Sequence, residues 1–563
     1  MPPFTLVDGL RVVAAIGLVW ASFAAVGAGV LILYTSQHPQ LDAINSPGGL
    51  WLRLVLFGAL SAGCGYLLWR LRPSTALVAN FSAGSTCTRR HWTVLACLLG
   101  LIACLLGYHL AEYPWAAPDE VHHLVVARNL ALHGAYASGH PDASLTYFDS
   151  FDSVGPTVLG PIAAAFKVFG VSLGAARAVM ITFYLLLSLA VFRLVSSWQG
   201  GWAGITAVAL LTGTFSSIYL GRTLYGEVPA FAFLLGGLLA WQRALGFKRA
   251  MGWGLLAGVG VGAAVLSKTI VALVLFSLAG AWAYDQVTFR KIRWGHVLWP
   301  AMGGIAVMAS WGVIQRLHGP GAETSGSTLA IYQHYLLFGL ASVPEAIMNS
   351  VAYNPVAHLV FLGLVIASVP TIFLRRYTPI GVTLYLYALF SLYWWFCFTP
   401  GQLHRYLWNS YAILAMFAAP WLVWAIQRML QKDRPPRQRL AYLLVALLLV
   451  GPGARWLVLQ TQEIATHDEM TDERALIAAL DDLPPGCRLA TTSGRVPGLV
   501  NFFGGPVVET GEDIATLLAG YDVVIVPEDA PVDSTIVEGA TQRIAGNFVL
   551  LSSSVSLGGA ERK

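Results

Sequence analysis

The sequence predicts a polytopic α-helical membrane protein with a small α/β domain at its C-terminal end. Two observations carry this. Of 563 residues, 56% are hydrophobic and only 11% charged, with a mean hydropathy of +0.64, whereas about a quarter of an ordinary soluble domain is charged. Roughly thirteen apolar stretches are long enough, or nearly so, to cross a hydrocarbon core of about 30 Å. That pattern stops after Val458, where short strand-like runs begin to alternate with helical ones.

The first span, Val12–Tyr34, follows Arg11 and has no small-residue cleavage site behind it, so it reads as a retained helix rather than a signal peptide. Leu50–Trp69, Trp92–Ala111, Ala178–Val195, Trp202–Leu220, Val228–Leu245 and Trp253–Leu266 follow. The series continues with Thr269–Tyr284, Val297–Val313, Val356–Leu374, Pro379–Phe398, Leu407–Ile426 and Leu440–Val458. Basic clusters alternate along it: Arg70, Arg72, Arg89 and Arg90; Arg243, Lys248 and Arg249; Arg290, Lys291 and Arg293; Arg375 and Arg376; then Arg428 to Arg439. If each marks a cytoplasmic loop, the N-terminus is cytoplasmic and the C-terminal tail lies outside a plasma (inner) membrane.

This alternation closes only if Thr157–Phe169, short and carrying Pro161 and Lys167, lies in the outer interface instead of crossing. Val121–His133 reads the same way, with Val121, Leu124, Val125 and Leu132 on one face and His122, Arg128 and Asn129 on the other. In the tail, Leu489–Thr492, Pro506–Glu509, Asp522–Pro527 and Phe548–Leu551 read as strands, and Glu473–Leu483 and Glu512–Leu518 as helices. Three regions result: 1–90, with two extra N-terminal spans; 91–459, the main transmembrane domain; and 460–563, an outer α/β domain.

Several function classes fall away. A net charge of +5 held in short loops gives no nucleic-acid surface. Six scattered cysteines with no CxxC pair offer neither a disulfide framework nor a zinc site. The tail has no GxGxxG, P-loop or nucleophile elbow.

Chemistry must be sought in the few charged groups at the membrane surface. Four outer-side places hold them: Asp119-Glu120 where the Trp92–Ala111 span leaves the bilayer, Arg222 to Glu227 between two spans, Lys268 at the apex of a tight turn, and His404-Arg405-Tyr406. Each alone has a plainer reading. Asp119, Glu120 and Glu227 sit at helix starts, where acids favour the macrodipole; Lys268 snorkels; Arg405 anchors an interface. His122 and His123 have no second ligand at metal spacing and read as orienting or surface groups. Acids facing cations on one side suit a reaction in which a carboxylate takes a proton from a hydroxyl and cations hold a departing phosphate.

These residues carry a family resemblance. Pro118-Asp119-Glu120 followed by Ala127-Arg128-Asn129-Leu130-Ala131-Leu132-His133-Gly134, then Gly155-Pro156-Thr157, Phe169-Gly170 and Ala176-Arg177, resembles the GT-C membrane glycosyltransferases. The nearest branch holds the protein O-mannosyltransferases and the bacterial transferase that adds aminoarabinose to lipid A. Leu224-Tyr225-Gly226-Glu227-Val228-Pro229 resembles its second acidic motif, Gly258 to Lys268 its glycine-rich helix ending in lysine, and His404-Arg405-Tyr406-Leu407 its late Arg-Tyr element.

The resemblance implies Asp119 as catalytic base with Glu120 beside it, Glu227 as second acid, and Arg222, Tyr225, Lys268, His404 and Arg405 as substrate-binding residues. It implies a polyprenyl-phosphate sugar donor, a glycan, lipid or protein acceptor, and contact with membrane lipids. No metal or other cofactor is required, although other GT-C branches use a divalent ion. Where the lipid A branch has a lysine before the proline, this chain has Gly155, which argues against carrying over the aminoarabinose specificity. A rival reading, a transporter or flippase for a lipid-linked sugar, fits less well because the spans hold few central ionisable residues and no inverted repeat; a non-catalytic scaffold of the same fold would need the acids to be replaceable.

Overall fold

The computed structural model describes residues 87–148, 154–214, 216–246, 250–288, 292–318, 379–398, 404–431, 435–466, 468, 470–493, 495–528, 530 and 540–552. The expected spans Val12–Tyr34, Leu50–Trp69 and Val356–Leu374 lie outside these residues.

The first described helix, α1 (Arg89–Gly107), leads through a loop to α2 (Pro118–His133), a hairpin of β1 (Ala137–His140) and β2 (Ser144–Tyr147), and α3 (Pro156–Phe169). Then come α4 (Leu173–Gln199), α5 (Gly201–Thr212), α6 (Ser217–Arg222), α7 (Glu227–Gly246) and α8 (Ala250–Ser267). After a 3-10 turn at Thr269–Ala272 follow α9 (Leu273–Thr288) and α10 (Gly295–His318). Beyond them lie α11 (Pro379–Phe398), a 3-10 turn at His404–Leu407, α12 (Trp408–Leu430) and α13 (Pro436–Thr466). Among the described residues, six helices are long and apolar enough to cross a membrane.

The expected span Trp202–Leu220 is broken into α5 and α6. Twelve residues of α5 extend about 18 Å, short of a bilayer core. The break comes from side chains that compete for backbone carbonyls. Thr214 Oγ1 donates to Leu211 O at 2.7 Å, and Ser217 Oγ donates to the same oxygen at 2.5 Å. The indole Nε1 of Trp408 then donates to Ser217 Oγ at 2.8 Å. An apolar run cannot register that competition.

The glycine-rich helix α8 packs backbone to backbone between α7 and α10. A Cβ on Gly258 would lie 1.9 Å from Pro300 O, and one on Gly260 would lie 2.6 Å from Gly237 Cα. Small residues let membrane helices approach this closely, and the contact fixes the end of α8, where Lys268 follows. Gly155 serves the same end from α3, since its Cβ would lie 1.9 Å from Leu266 O. Next to it, Thr157 Oγ1 donates to Ala263 O and lies 2.8 Å from Ser267 Oγ.

The tail builds α14 (Thr471–Asp481), β3 (Leu489–Thr491), α15 (Val496–Phe502), β4 (Val508–Thr510), α16 (Ile514–Gly520), β5 (Val523–Pro527), β6 (Thr541–Ala545) and β7 (Phe548–Ser552). Its five-stranded sheet has the order β4-β3-β5-β7-β6, with β3 parallel to β4 and β5, and β7 antiparallel to β5 and β6. The four expected strands are present; β6 and α15 were not foreseen, and neither was the β1–β2 hairpin.

The sheet does not hang free of the membrane domain. Val121, Leu124 and Val158 share one apolar core with Val496, Leu499 and Phe502. Arg128 donates to Asn501 Oδ1 at 3.0 Å, and Asn501 Nδ2 donates to Gly139 O at 2.7 Å. This changes the reading of α2: Asn129, expected on a polar face, is fully buried and donates to Ala137 O and Gly139 O, both at 3.0 Å. A helix covered by protein on several sides need not be amphipathic, and α2 is buried from Glu120 through Ala127 except at His122.

Gly155→Ala should lower the thermal midpoint in detergent, because its Cβ meets a carbonyl oxygen and forced overpacking costs about 1–3 kcal/mol. Gly160→Ala, inside α3 with open space around its Cβ, should leave the midpoint unchanged or raise it slightly. Equal midpoints for the two variants would contradict the close approach of α3 to α8.

Candidate active site

The site is built where α2, the loop ahead of α7, the end of α8 and the turn before α12 meet. Its base is the pair Glu120 and Arg177, both with side chains 0% exposed. Arg177 Nε and Nη2 donate to the two carboxylate oxygens at 3.2 and 3.0 Å. Its remaining N–H groups donate to Leu110 O, Tyr113 O and Pro114 O at 2.9, 3.1 and 2.7 Å. All five guanidinium donors are thereby used, and the loop from α1 to α2 is tied to the start of α4.

Pro118 at the first helical position and the acids behind it suit a helix N-terminus. Glu120 points inward, and Asp119 stands half exposed, accepting a hydrogen bond from Arg405 Nη2 at 2.7 Å. The Arg405 guanidinium lies 4.4 Å from the centroid of the Tyr225 ring. Tyr225 stacks on Tyr219, with their hydroxyls 3.0 Å apart. Burial, then the neighbouring Tyr219, pushes the Tyr225 phenol well up, so it stays a neutral platform.

The second acid sits one turn of chain away. Gly226 takes φ +84, and its Cβ would lie 2.8 Å from Ser267 O, so only glycine fits this bend. The bend presents Glu227, the first residue of α7, with its side chain buried 3.8 Å from Lys268 Nζ. Neither Glu227 oxygen has a hydrogen-bond partner, so the ion pair is its described polar contact. Lys268 is held by an isolated antiparallel bridge to Val154, beside Gly155.

His123, one turn after Asp119 on α2, joins the two acidic segments: its Nδ1 lies 2.9 Å from Leu224 O. A carbonyl only accepts, so Nδ1 carries the proton. Burial first, then Lys268 and His122, hold the His123 imidazole well below its ordinary 6.5, and it remains neutral.

Asp119, Arg405, Tyr225, Glu227 and Lys268 are thus brought into two adjoining acid–cation pairs. Glu120, expected beside Asp119 as a catalytic carboxylate, has both its oxygens held by a buried guanidinium. Arg222, expected at the phosphate, is fully buried and donates from Nη2 to His109 O at 2.6 Å, with its guanidinium 5.6 Å from the Tyr113 ring centroid. The backbone of His404 belongs to the turn before α12, and its side chain lies outside the described residues. Tyr219 was not foreseen; His123 was read as an orienting or surface group, and Arg177 entered only as part of the Ala176-Arg177 motif, with no role of its own. Arg177 did leave a signal, as a lone arginine outside every cytoplasmic basic cluster.

No group of three or more His, Cys, Asp or Glu capable of holding a metal occurs among the described residues. Asp119 and Glu227 each face a cation, a donor set suited to receiving an anion.

The chain carries the GT-C fold of the polytopic membrane glycosyltransferases, the superfamily that its motifs resemble. More particularly, residues 154–312 match the family described as dolichyl-phosphate-mannose-protein mannosyltransferase. ArnT from Cupriavidus metallidurans, solved bound to undecaprenyl phosphate, superposes with a TM-score of 0.60 at 13% identity, covering 84% of this chain and 100% of ArnT. Its apo form gives 0.58 at 14% identity, covering 83% and 99%. The oligosaccharyltransferase AglB from Archaeoglobus fulgidus gives 0.49 at 12% identity, covering 83% and 74%. No curated protein matches significantly.

Arg177→Leu should leave Glu120 a buried charge without its partner and cost about 3–5 kcal/mol, seen as loss of a folded monodisperse protein. Asp119→Asn, at a half-exposed carboxylate, should fold normally; equal damage by both would contradict the split. His123→Asn keeps an N–H near the Nδ1 position and should preserve the tie to Leu224, whereas His123→Leu should not. The unfolded chain protonates this histidine below about 6.5 while the folded one resists. Stability should therefore fall as pH drops from that value, and His123→Asn should flatten the fall. An unaltered pH dependence would contradict a buried neutral imidazole.

Proposed function

We propose that the protein transfers a glycosyl residue from a polyprenyl-phosphate-linked sugar to a hydroxyl acceptor, with inversion, at the outer face of a plasma (inner) membrane. The observation that carries the reading is the pairing of Asp119 with Arg405 beside Glu227 with Lys268. The fold shared with ArnT, a structure solved with undecaprenyl phosphate, and the match to the mannosyltransferase family support the donor class.

The donor phosphate is an anion that competes with Asp119 for Arg405. Its arrival draws the guanidinium across the Tyr225 face and leaves the Asp119 carboxylate open. The acceptor oxygen then attacks the anomeric carbon opposite the phosphate. Its proton passes to Asp119 as the bond from carbon to phosphate oxygen breaks and the electron pair stays on the departing polyprenyl phosphate. Arg405 and Lys268 meet the charge that develops there. Glu227, 3.8 Å from Lys268 Nζ, holds that ammonium in place. Glu120, Arg177 and Arg222 act at one remove, by fixing the loop that leads into α2 and so to Asp119. The reaction as written needs no metal, since side-chain cations fill that role, and a divalent ion remains compatible with GT-C chemistry. The acceptor is a cell-envelope glycan, lipid or protein. The N-terminus is assigned to the cytoplasm and the C-terminal domain to the outside, the side of Asp119.

Asp119→Asn should lower single-turnover transfer from a polyprenyl-phosphate sugar by about 10²–10⁴-fold without weakening donor binding, since it removes the competitor for Arg405. Lys268→Met should weaken donor binding and turnover together, and Lys268→Arg should restore it only in part, because a planar fork replaces a point charge. Normal transfer by Asp119→Asn, or normal donor binding by Lys268→Met, would overturn the corresponding role.

A further inference from the structure

At the end of the helix bundle away from Asp119, Cys87 and the ends of α4, α7 and α8 enclose a cleft of about 460 Å³. Chain direction fixes its place. Helix α7 begins with Glu227 in the active site and reaches the cleft at Arg243, sixteen residues or about 24 Å along its axis. The transfer site and this cleft therefore lie near opposite surfaces of the bilayer.

Two arginines stand in the lining. The Arg193 guanidinium is 5.4 Å from the centroid of Trp92, and that of Arg243 is 4.7 Å from the centroid of Trp253. The rings hold both cations in place without neutralising them. No carboxylate is among the described lining residues. The one described polar bond across the cleft, Gln242 Nε2 to Ser197 Oγ at 3.1 Å, involves neither arginine. Below this cationic rim the wall is apolar, with Leu239 and Leu256, and it is interrupted at Gly236, where a Cβ would meet nothing within 4 Å.

We propose that this cleft binds an anionic glycerophospholipid, its phosphate between Arg193 and Arg243 and an acyl chain along Gly236 and Leu239. Charge complementarity selects the headgroup, because arginine forks match phosphate oxygens and none of the described lining residues is an anion. The apolar wall at the membrane end of the helices selects a lipid over a free anion. The volume is in the range of small-ligand pockets. The site is distinct from the transfer site, so transferase activity is not its readout.

Cys87 supplies a native reporter: it is a free, partly exposed thiol in the lining. Delipidated full-length protein in neutral detergent would be titrated with phosphatidylglycerol, phosphatidylcholine, undecaprenyl phosphate or inorganic phosphate. Maleimide labelling of Cys87 would be followed by peptide mass, with Cys487 as the internal control. Phosphatidylglycerol should protect Cys87 saturably and phosphatidylcholine should not. The double variant Arg193→Gln/Arg243→Gln should raise the half-saturating phosphatidylglycerol roughly thirtyfold, from two lost headgroup contacts. Gly236→Leu, which grows into open space, should abolish the protection while the thermal midpoint holds.

Equal protection by phosphatidylcholine, or protection unaffected by the double variant, would overturn the proposal. Stronger protection by undecaprenyl phosphate would reassign the cleft to the donor lipid, and protection by inorganic phosphate would reduce it to an anion site; both reject the phospholipid. A Cys87 that resists labelling before any lipid is added would mean that the chain's own first 86 residues close the cleft, and would also overturn it.

Discussion

The buried ion pair between Arg177 and Glu120 is the constraint on which the rest of the site depends. Removing two charges from water is costly, and the cost is offset only when every donor and acceptor is met. Here five guanidinium N–H groups find two carboxylate oxygens and the carbonyls of Leu110, Tyr113 and Pro114. The arrangement cannot slip without stranding a charge, so it fixes where α2 begins. In a helix, neighbouring residues point about 100° apart. Turning Glu120 inward therefore holds Asp119 at the open edge, opposite Arg405. Two adjacent carboxylates acquire different environments from geometry alone: Glu120 is buried with both oxygens held by Arg177, and Asp119 is half exposed and meets Arg405.

The cations reach the acids by close backbone approach. Glycines in α8, together with Gly155 and Gly226, let α3, α7 and α10 meet α8 through their backbones, so Lys268 is delivered to Glu227 by rigid elements rather than by a loop. The C-terminal sheet completes the support from the other side. Arg495 donates to Ala116 O at 2.9 Å, pairs with Glu473 at 2.5 Å and lies 4.2 Å from the Trp115 ring centroid. The segment just before Asp119 is thereby held by the tail as well as by Arg177, which accounts for an apolar core shared between α2 and the sheet.

Much of this was legible in the sequence because it rests on local signals. Apolar runs located the spans, Pro118 with two acids marked the start of α2, and short apolar runs marked the buried strands that begin at Leu489 and Val523. What the sequence hid was non-local. Trp202–Leu220 looks continuous because its break depends on a serine bonded to Trp408, nearly two hundred residues away. Asn129 looks solvent-facing because nothing in α2 announces the hairpin that its amide holds. Asp119 and Glu120 look equivalent until Arg177 distinguishes them. Arg222 is a surface cation by position and a buried one by packing.

In the proposed reaction the phosphate of a lipid-linked donor occupies the place between Arg405 and Lys268 and displaces Asp119 from its cation. Electron cryo-microscopy of the full-length protein with a non-transferable polyprenyl-phosphate sugar analogue tests this directly. The account predicts phosphate oxygens within hydrogen-bonding distance of both Arg405 and Lys268, the Arg405–Asp119 contact broken, and the Arg177–Glu120 pair unchanged. A phosphate held by Arg177 or Arg222 instead, with Asp119 still bonded to Arg405, would contradict it.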